Sequence, residues 1–144
     1  MIRKHYLKMA KKTADIQMNR LQKIKKVLNN SFIQAVDLIL NCKGKVICAG
    51  IGKSGIIAKK ISATFSSVGI PSFFCDPAQA LHGDMGQIEK KDVLIIFSYS
   101  GNTSELTNML KYANRYRIKI IGIASKEDSI LLKSTDINLL LPKV

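Results

Sequence analysis

Two periodicities divide this chain near residue 44. Upstream, Leu21, Ile24, Leu28, Phe32, Ala35, Leu38, Ile39 and Cys42 recur at helical spacing. They form the stripe of an amphipathic helix with one buried face, running from about Asp15 to Cys42. The polar run Asn29-Asn30-Ser31 is expected to break that stretch in two, with Asn30 or Ser31 capping the second helix. Downstream, short apolar runs alternate with helical stretches. Lys45–Ala49, Pro71–Cys75, Asp92–Phe97, Ile118–Ile123 and Ile137–Leu141 read as strands. Asp92–Phe97 is the clearest, because its continuous apolar run suits a strand buried on both faces. Between them, a helix following Gly55 places Ile57, Ile61, Thr64, Phe65 and Val68 on one face, and Leu106–Tyr116 and Ser129–Lys133 read as further helices.

Strands alternating with helices predict an α/β fold, a parallel sheet with helices on both faces joined by right-handed crossovers. Ligands of such sheets bind beyond the carboxyl ends of the strands. The loops after the first and third strands therefore carry the functional information.

The first of these, Gly50-Ile-Gly-Lys-Ser-Gly55, follows a strand and opens a helix. Its glycines allow a tight turn and close approach to a phosphate, and the helix N-terminus supplies free N–H donors. Asp76, 21 residues beyond Gly55, stands where a dinucleotide-binding protein places its ribose carboxylate, so that alternative stays open. A Walker A loop is excluded, because Ile47 occupies the position of its first glycine. The second loop, Ser98-Tyr-Ser-Gly-Asn-Thr-Ser-Glu105, gathers four serine and threonine hydroxyls around Gly101 at the start of a helix. Capping that helix needs only Asn102 or Thr103. The surplus of hydroxyls points to anion binding. His82, in the loop Leu81-His-Gly-Asp-Met-Gly86, is equally readable as a sugar contact or as a turn residue.

Composition narrows the class. A chain of 144 residues, 47% apolar, fits one domain with a real core. No apolar run approaches the length of a membrane span and no signal peptide is visible, so a soluble cytoplasmic protein with no membrane partner is expected. Cys42, Cys48 and Cys75 have no metal-ligand spacing and read as reduced, buried thiols. The formal charge is +13, and residues 1–26 hold nine Lys/Arg against Asp15 alone. Few aromatics interleave these lysines, so a solvated basic face is preferred to nucleic-acid binding.

Together the motifs are familiar. Ser98-x-Ser100-Gly101-x-Thr103-x-Glu105 resembles the phosphate loop of SIS (sugar isomerase) domains. Gly50–Glu105 resembles bacterial arabinose-5-phosphate isomerases through four pieces: Gly-Ile-Gly-Lys-Ser-Gly, Ser-Val-Gly-Ile-Pro-Ser-Phe-Phe, Asp-Pro-Ala-Gln-Ala-Leu-His-Gly-Asp-Met-Gly and Ser-Tyr-Ser-Gly-Asn-Thr-Ser-Glu. The resemblance extends from about Gly44 to Val144. It implies a three-layer αβα sandwich on a five-stranded sheet of order 2-1-3-4-5, with residues 1–43 as an N-terminal helical segment and 44–144 as the SIS domain. It also implies interconversion of ribulose 5-phosphate and arabinose 5-phosphate through an enediol.

Carried over by motif, Lys53 and Glu105 match catalytic residues. Ser54, Ser98, Ser100, Gly101 and Thr103 match the phosphate site, and His82 with Gly69-Ile70 matches substrate contacts. No cofactor is expected. Asp76 stands where the family has a histidine linked with zinc, which makes it a weak metal candidate. Gln79 and Asn102 replace acids, and Ile56 stands where a histidine often follows. Family members continue past Val144 into a second catalytic glutamate, another functional histidine, further helices and usually a CBS pair. The expectation is thus a C-terminally incomplete domain that binds a sugar phosphate but does not turn it over alone. An uncovered sheet face is expected to invite a second copy or a partner chain that completes the site. A sugar-phosphate-sensing module is a further alternative.

Overall fold

The computed structural model describes residues 2–142, with side chains from residue 4 onward. Five parallel strands, β1 (Val46–Gly50), β2 (Ser72–Cys75), β3 (Val93–Phe97), β4 (Lys119–Ala124) and β5 (Ile137–Leu140), form one sheet in the order β2-β1-β3-β4-β5. Each falls within a residue or two of its expected position. The helices are α1 (Ile2–Ile24), α2 (Asn30–Leu40), α3 (Lys53–Ser67), α4 (Leu106–Arg115) and the single turn α5 (Ile130–Lys133). Two 3₁₀ turns, Ala80–His82 and Asp84–Gln87, replace a full helix between β2 and β3.

The core lies on both sides of the sheet, because side chains alternate across a strand. Ile47, Leu94, Ile96 and Ile120 face α4 and α5, where Leu106, Met109 and Leu131 are buried against them. Each such burial contributes about 2 kcal/mol. Val46, Cys48, Val93, Ile95 and Ile121 face the opposite layer of α2 and α3. There α3 packs through small residues, Gly55, Ala58 and Ser62. A Cβ on Gly55 would stand 2.6 Å from the Gly50 carbonyl oxygen. Of the residues expected on one face of this helix, Ile61 and Phe65 pack against the core, while Ile57 and Val68 are 51% and 68% exposed.

The N-terminal segment departs further from expectation. The basic start is helical from Ile2, and every residue from Lys4 to Lys26 is exposed. The cap of α2 is Asn29, whose side chain accepts from the Ser31 N–H at 2.9 Å. Of the expected buried stripe only Ala35 is buried, while Leu38, Ile39 and Cys42 are half-buried. Leu21, Leu28 and Phe32 stay open. An apolar groove of about 210 Å³ separates α2 from α3, exposing parts of Phe97, Ile123 and Leu139. At the amino end of the sheet, buried Asp92 accepts from the N–H groups of Lys45 and Glu89, each at 2.8 Å.

Candidate functional site at the carboxyl edge of the sheet

β1 and β3 are adjacent and in register, Gly50 beside Phe97, so the loops that leave them lie side by side. A Cβ on Gly50 would come within 3.0 Å of the Phe97 carbonyl oxygen and of Ser54. The site is therefore drawn together by two glycines, and Gly52 (φ 58°) makes the turn into α3. Lys53 and Ser54 are the first residues of that helix, Lys53 exposed and Ser54 half-buried.

The hydroxyl loop is organised from within. Buried Ser98 pairs its hydroxyl with that of Thr103 at 3.0 Å, and its oxygen also accepts from the Gly101 N–H at 3.1 Å. The Asn102 N–H donates to the Ser100 oxygen at 3.3 Å. That leaves the exposed Ser100 hydroxyl hydrogen free to donate outward. Gly101 has φ 66°, and a Cβ there would overlap the Ser129 side chain. Only glycine fits both constraints.

Helix capping separates two kinds of helix start. α2 and α5 are capped by the side chains of Asn29 and Ser129. α3 and α4, which follow β1 and β3 at this edge, have no side-chain cap, whereas α5, which opens at the same edge after β4, is capped by Ser129. Neither Asn102 nor Thr103 caps α4. The residue at the cap position is Glu105, already in helical conformation. The first N–H groups of α3 thus stay available to a ligand, with the helix's partial positive charge, whereas at the start of α4 the Leu106 and Thr107 N–H groups donate to the Thr103 and Ser104 carbonyls at 3.2 and 3.1 Å. The Glu105 carboxyl is held below the usual glutamate range, first by its own backbone N–H and then by the Ser104 hydroxyl at 2.8 Å. It stands fully exposed as a carboxylate at neutral pH.

The remaining candidates are placed differently. Gly69 and Ile70 lie at the amino end of the sheet, away from both loops. Gly69 (φ 86°) terminates α3, and the Ile70 N–H bonds back to the Phe65 carbonyl at 2.9 Å. This is a helix-terminating turn that needs glycine, and within one chain it touches nothing at the carboxyl edge. His82 is exposed in the β2–β3 connection, beside Gly83 (φ 129°). Asp76 follows β2, and its carboxylate accepts from the Ala78 N–H at 2.9 Å. Among the described residues no group of three His, Cys, Asp or Glu could hold a metal ion. Burial pushes the Cys48 and Cys75 thiols up to about 11, where they are unreactive. The motif reading missed Ser125 and Ser129, both buried. They lie behind the hydroxyl loop on the β4–α5 connection, which carries no phosphate motif of its own.

The pattern of the SIS domain family matches residues 39–144. The chain belongs to the SIS domain family. A Haemophilus influenzae protein named as a probable arabinose 5-phosphate isomerase is 40% identical over 134 residues, 93% of this chain and 40% of its own length. The Pseudomonas aeruginosa arabinose 5-phosphate isomerase KdsD is 38% identical over 93% of this chain and 41% of its own. The SIS chain thus spans about two-fifths of the length of these curated relatives. In three dimensions it is similar to an E. coli CFT073 protein, c3406, solved in complex with arabinose 5-phosphate, with a TM-score of 0.83 at 34% identity over 95% of this chain and 74% of that one. Among the described residues, no helix of the SIS chain is long and apolar enough to cross a membrane.

Proposed function

We propose that the carboxyl edge binds a phosphorylated sugar of the pentose 5-phosphate class. The observation that carries this reading is the uncapped start of α3 beside the hydroxyl loop, whose Ser100 hydroxyl is exposed. The phosphate takes donors from Ser54, Ser100, Thr103 and the backbone beyond Gly101, while Ser98 holds Thr103 from beneath. His82 reaches toward the sugar from the β2–β3 connection. The relatives that carry the arabinose 5-phosphate isomerase name, and the neighbour bound to arabinose 5-phosphate, support the choice of sugar.

Aldose–ketose isomerisation removes the proton beside the carbonyl and returns it to the former carbonyl carbon, with no net oxidation. Glu105, ionised and exposed, is suited to move that proton. The Lys53 ammonium at the start of α3 is suited to steady the enediolate oxygen. Binding and turnover are separate claims, and each has its own measurement. The same reading includes pairing with a second chain, supported by the apolar groove between α2 and α3 and the exposed side chains of α1. Sedimentation velocity checks it.

Calorimetric titration with arabinose 5-phosphate, ribulose 5-phosphate and a nicotinamide dinucleotide tests the binding claim. Saturation at or below about millimolar sugar phosphate is expected, lost in Ser100→Ala, with no response to the dinucleotide. A dinucleotide response without a sugar-phosphate response overturns the reading. A coupled assay with ribulose 5-phosphate then measures turnover on the same preparation.

A further inference from the structure

The hydroxyl loop does not hold its shape alone, and the group that ties it down is one the phosphate motif leaves variable. α5 is one turn long, so its first amide groups have no partner within the helix. Each is satisfied from a specific place. The Asn102 side-chain oxygen accepts from the Ile130 N–H at 2.9 Å. The Gly101 carbonyl accepts from the Leu131 N–H at 2.9 Å. The Ser129 hydroxyl accepts from the Leu132 N–H at 3.4 Å. The start of α5 therefore directs its donors to the hydroxyl loop and to its own cap. Two residues before Gly101, the Tyr99 carbonyl accepts from both the Ser125 N–H at 2.9 Å and the Ser125 hydroxyl at 2.7 Å. Ser125 and Ser129 are buried, and no buried side-chain nitrogen or oxygen among the described residues lacks a partner. The β4–α5 connection is thus a backing plate for residues 99–102.

Among the described residues, Asn102 is the one side chain of the loop that hydrogen-bonds to this plate. Its own N–H meanwhile donates to the Ser100 oxygen. One residue therefore joins the anchor on α5 to the exposed hydroxyl at the site. We propose that Asn102 is a positioning residue for the sugar-phosphate site: it caps α5 across the loop and thereby fixes the orientation of Ser100 and of the N–H groups beyond Gly101. This rests on the proposed sugar-phosphate reading. The amide of asparagine suits the task because it accepts as a carboxylate would without setting a negative charge two residues from Ser100. Aspartate can make the same cap but adds that charge.

Asn102→Ala and Asn102→Asp separate these effects. Asn102 is exposed, so both variants are expected to fold, which circular dichroism confirms. In Asn102→Ala, hydrogen exchange at the Ile130 amide accelerates, and arabinose 5-phosphate binds about tenfold more weakly, the scale of one lost cap. In Asn102→Asp, Ile130 protection returns to the wild-type level, while affinity stays below wild type and falls further as salt is lowered, through unscreened repulsion. Unchanged Ile130 exchange in Asn102→Ala overturns the clamp, and so does failure of Asn102→Asp to restore it. If Asn102→Ala changes exchange but leaves affinity equal to a binding wild type, positioning is overturned. If wild type binds no sugar phosphate, the functional reading fails, and the exchange measurement still decides the clamp.

Discussion

The hydroxyls of Ser98 and Thr103 meet at 3.0 Å across the hydroxyl loop, although Thr103 stands where the residue pattern predicts a helix cap. The pairing diverts Thr103 from α4, whose start is left without a side-chain cap. A residue type favoured for capping braces a loop with its side chain, while its carbonyl accepts from the Leu106 N–H at the helix start at 3.2 Å.

Thr103→Val keeps the shape and removes the hydroxyl. Ser98 retains the Gly101 N–H, so the cost to stability is about 1 kcal/mol. Affinity for arabinose 5-phosphate is expected to fall about tenfold, by loss of one donor and of the brace. Thr103→Ser recovers most of it. Paired urea denaturation and calorimetric titration check both halves of the expectation.

Gly101→Ala is expected to destabilise the fold by about 2–4 kcal/mol, because it combines a left-handed backbone with a buried overlap. The overlap is with Ser129 Oγ and Cβ. Ser129→Gly in the same chain removes the overlap but not the backbone strain, so it restores only part of the loss. Additive costs for the two substitutions, measured by urea denaturation, would rule out direct contact as the cause.

The strands were legible because a doubly covered parallel strand is a continuous apolar run, and Val93–Phe97 and Val46–Gly50 read as little else. The hydroxyl loop was legible because its residues are contiguous. Ser125, Ser129 and the capping role of Asn102 were not, since they meet only through the β3–β4 register that brings Ser98 beside β4. The helical stripe misled in the other direction. Period alone does not say whether a face is covered, and Leu28 and Phe32 remain exposed. Gly69-Ile70 carried a motif resemblance, but its glycine is accounted for by the end of α3.

That last point has a counterpart in α4. The Ile118 N–H bonds to the Ala113 carbonyl at 2.9 Å, closing the same helix-terminating turn as at Gly69, but the left-handed position is Arg117 at φ 55°. An arginine carries a steric cost there that glycine does not. Arg117→Gly is therefore expected to stabilise the protein by about 0.5–1 kcal/mol, the gain being reduced by glycine's greater freedom in the unfolded chain. A rise in the urea midpoint with an unchanged slope is the expected signature. No rise would show that the left-handed arginine costs nothing measurable.

The state of Glu105 gives a pH prediction that holds with or without turnover. Its carboxyl is depressed first by its own N–H and then by the Ser104 hydroxyl, so its base form persists to lower pH than an ordinary glutamate's. Ser104→Ala removes the second cause alone. The pKa then rises toward the ordinary value without fully reaching it. A depressed native value adds stability above the unfolded pKa, and that stability is lost as pH falls through the native one. For a fully exposed group the effect on stability is slight and screened by salt. The informative readout is the carboxyl carbon shift of Glu105, titrated by nuclear magnetic resonance. Wild type should titrate below the ordinary glutamate range and Ser104→Ala above wild type. If turnover is measurable and Glu105 is its base, the acid limb of the rate moves upward in Ser104→Ala by the same interval. An acid limb that stays in place while the carbon shift moves would assign the base to another group.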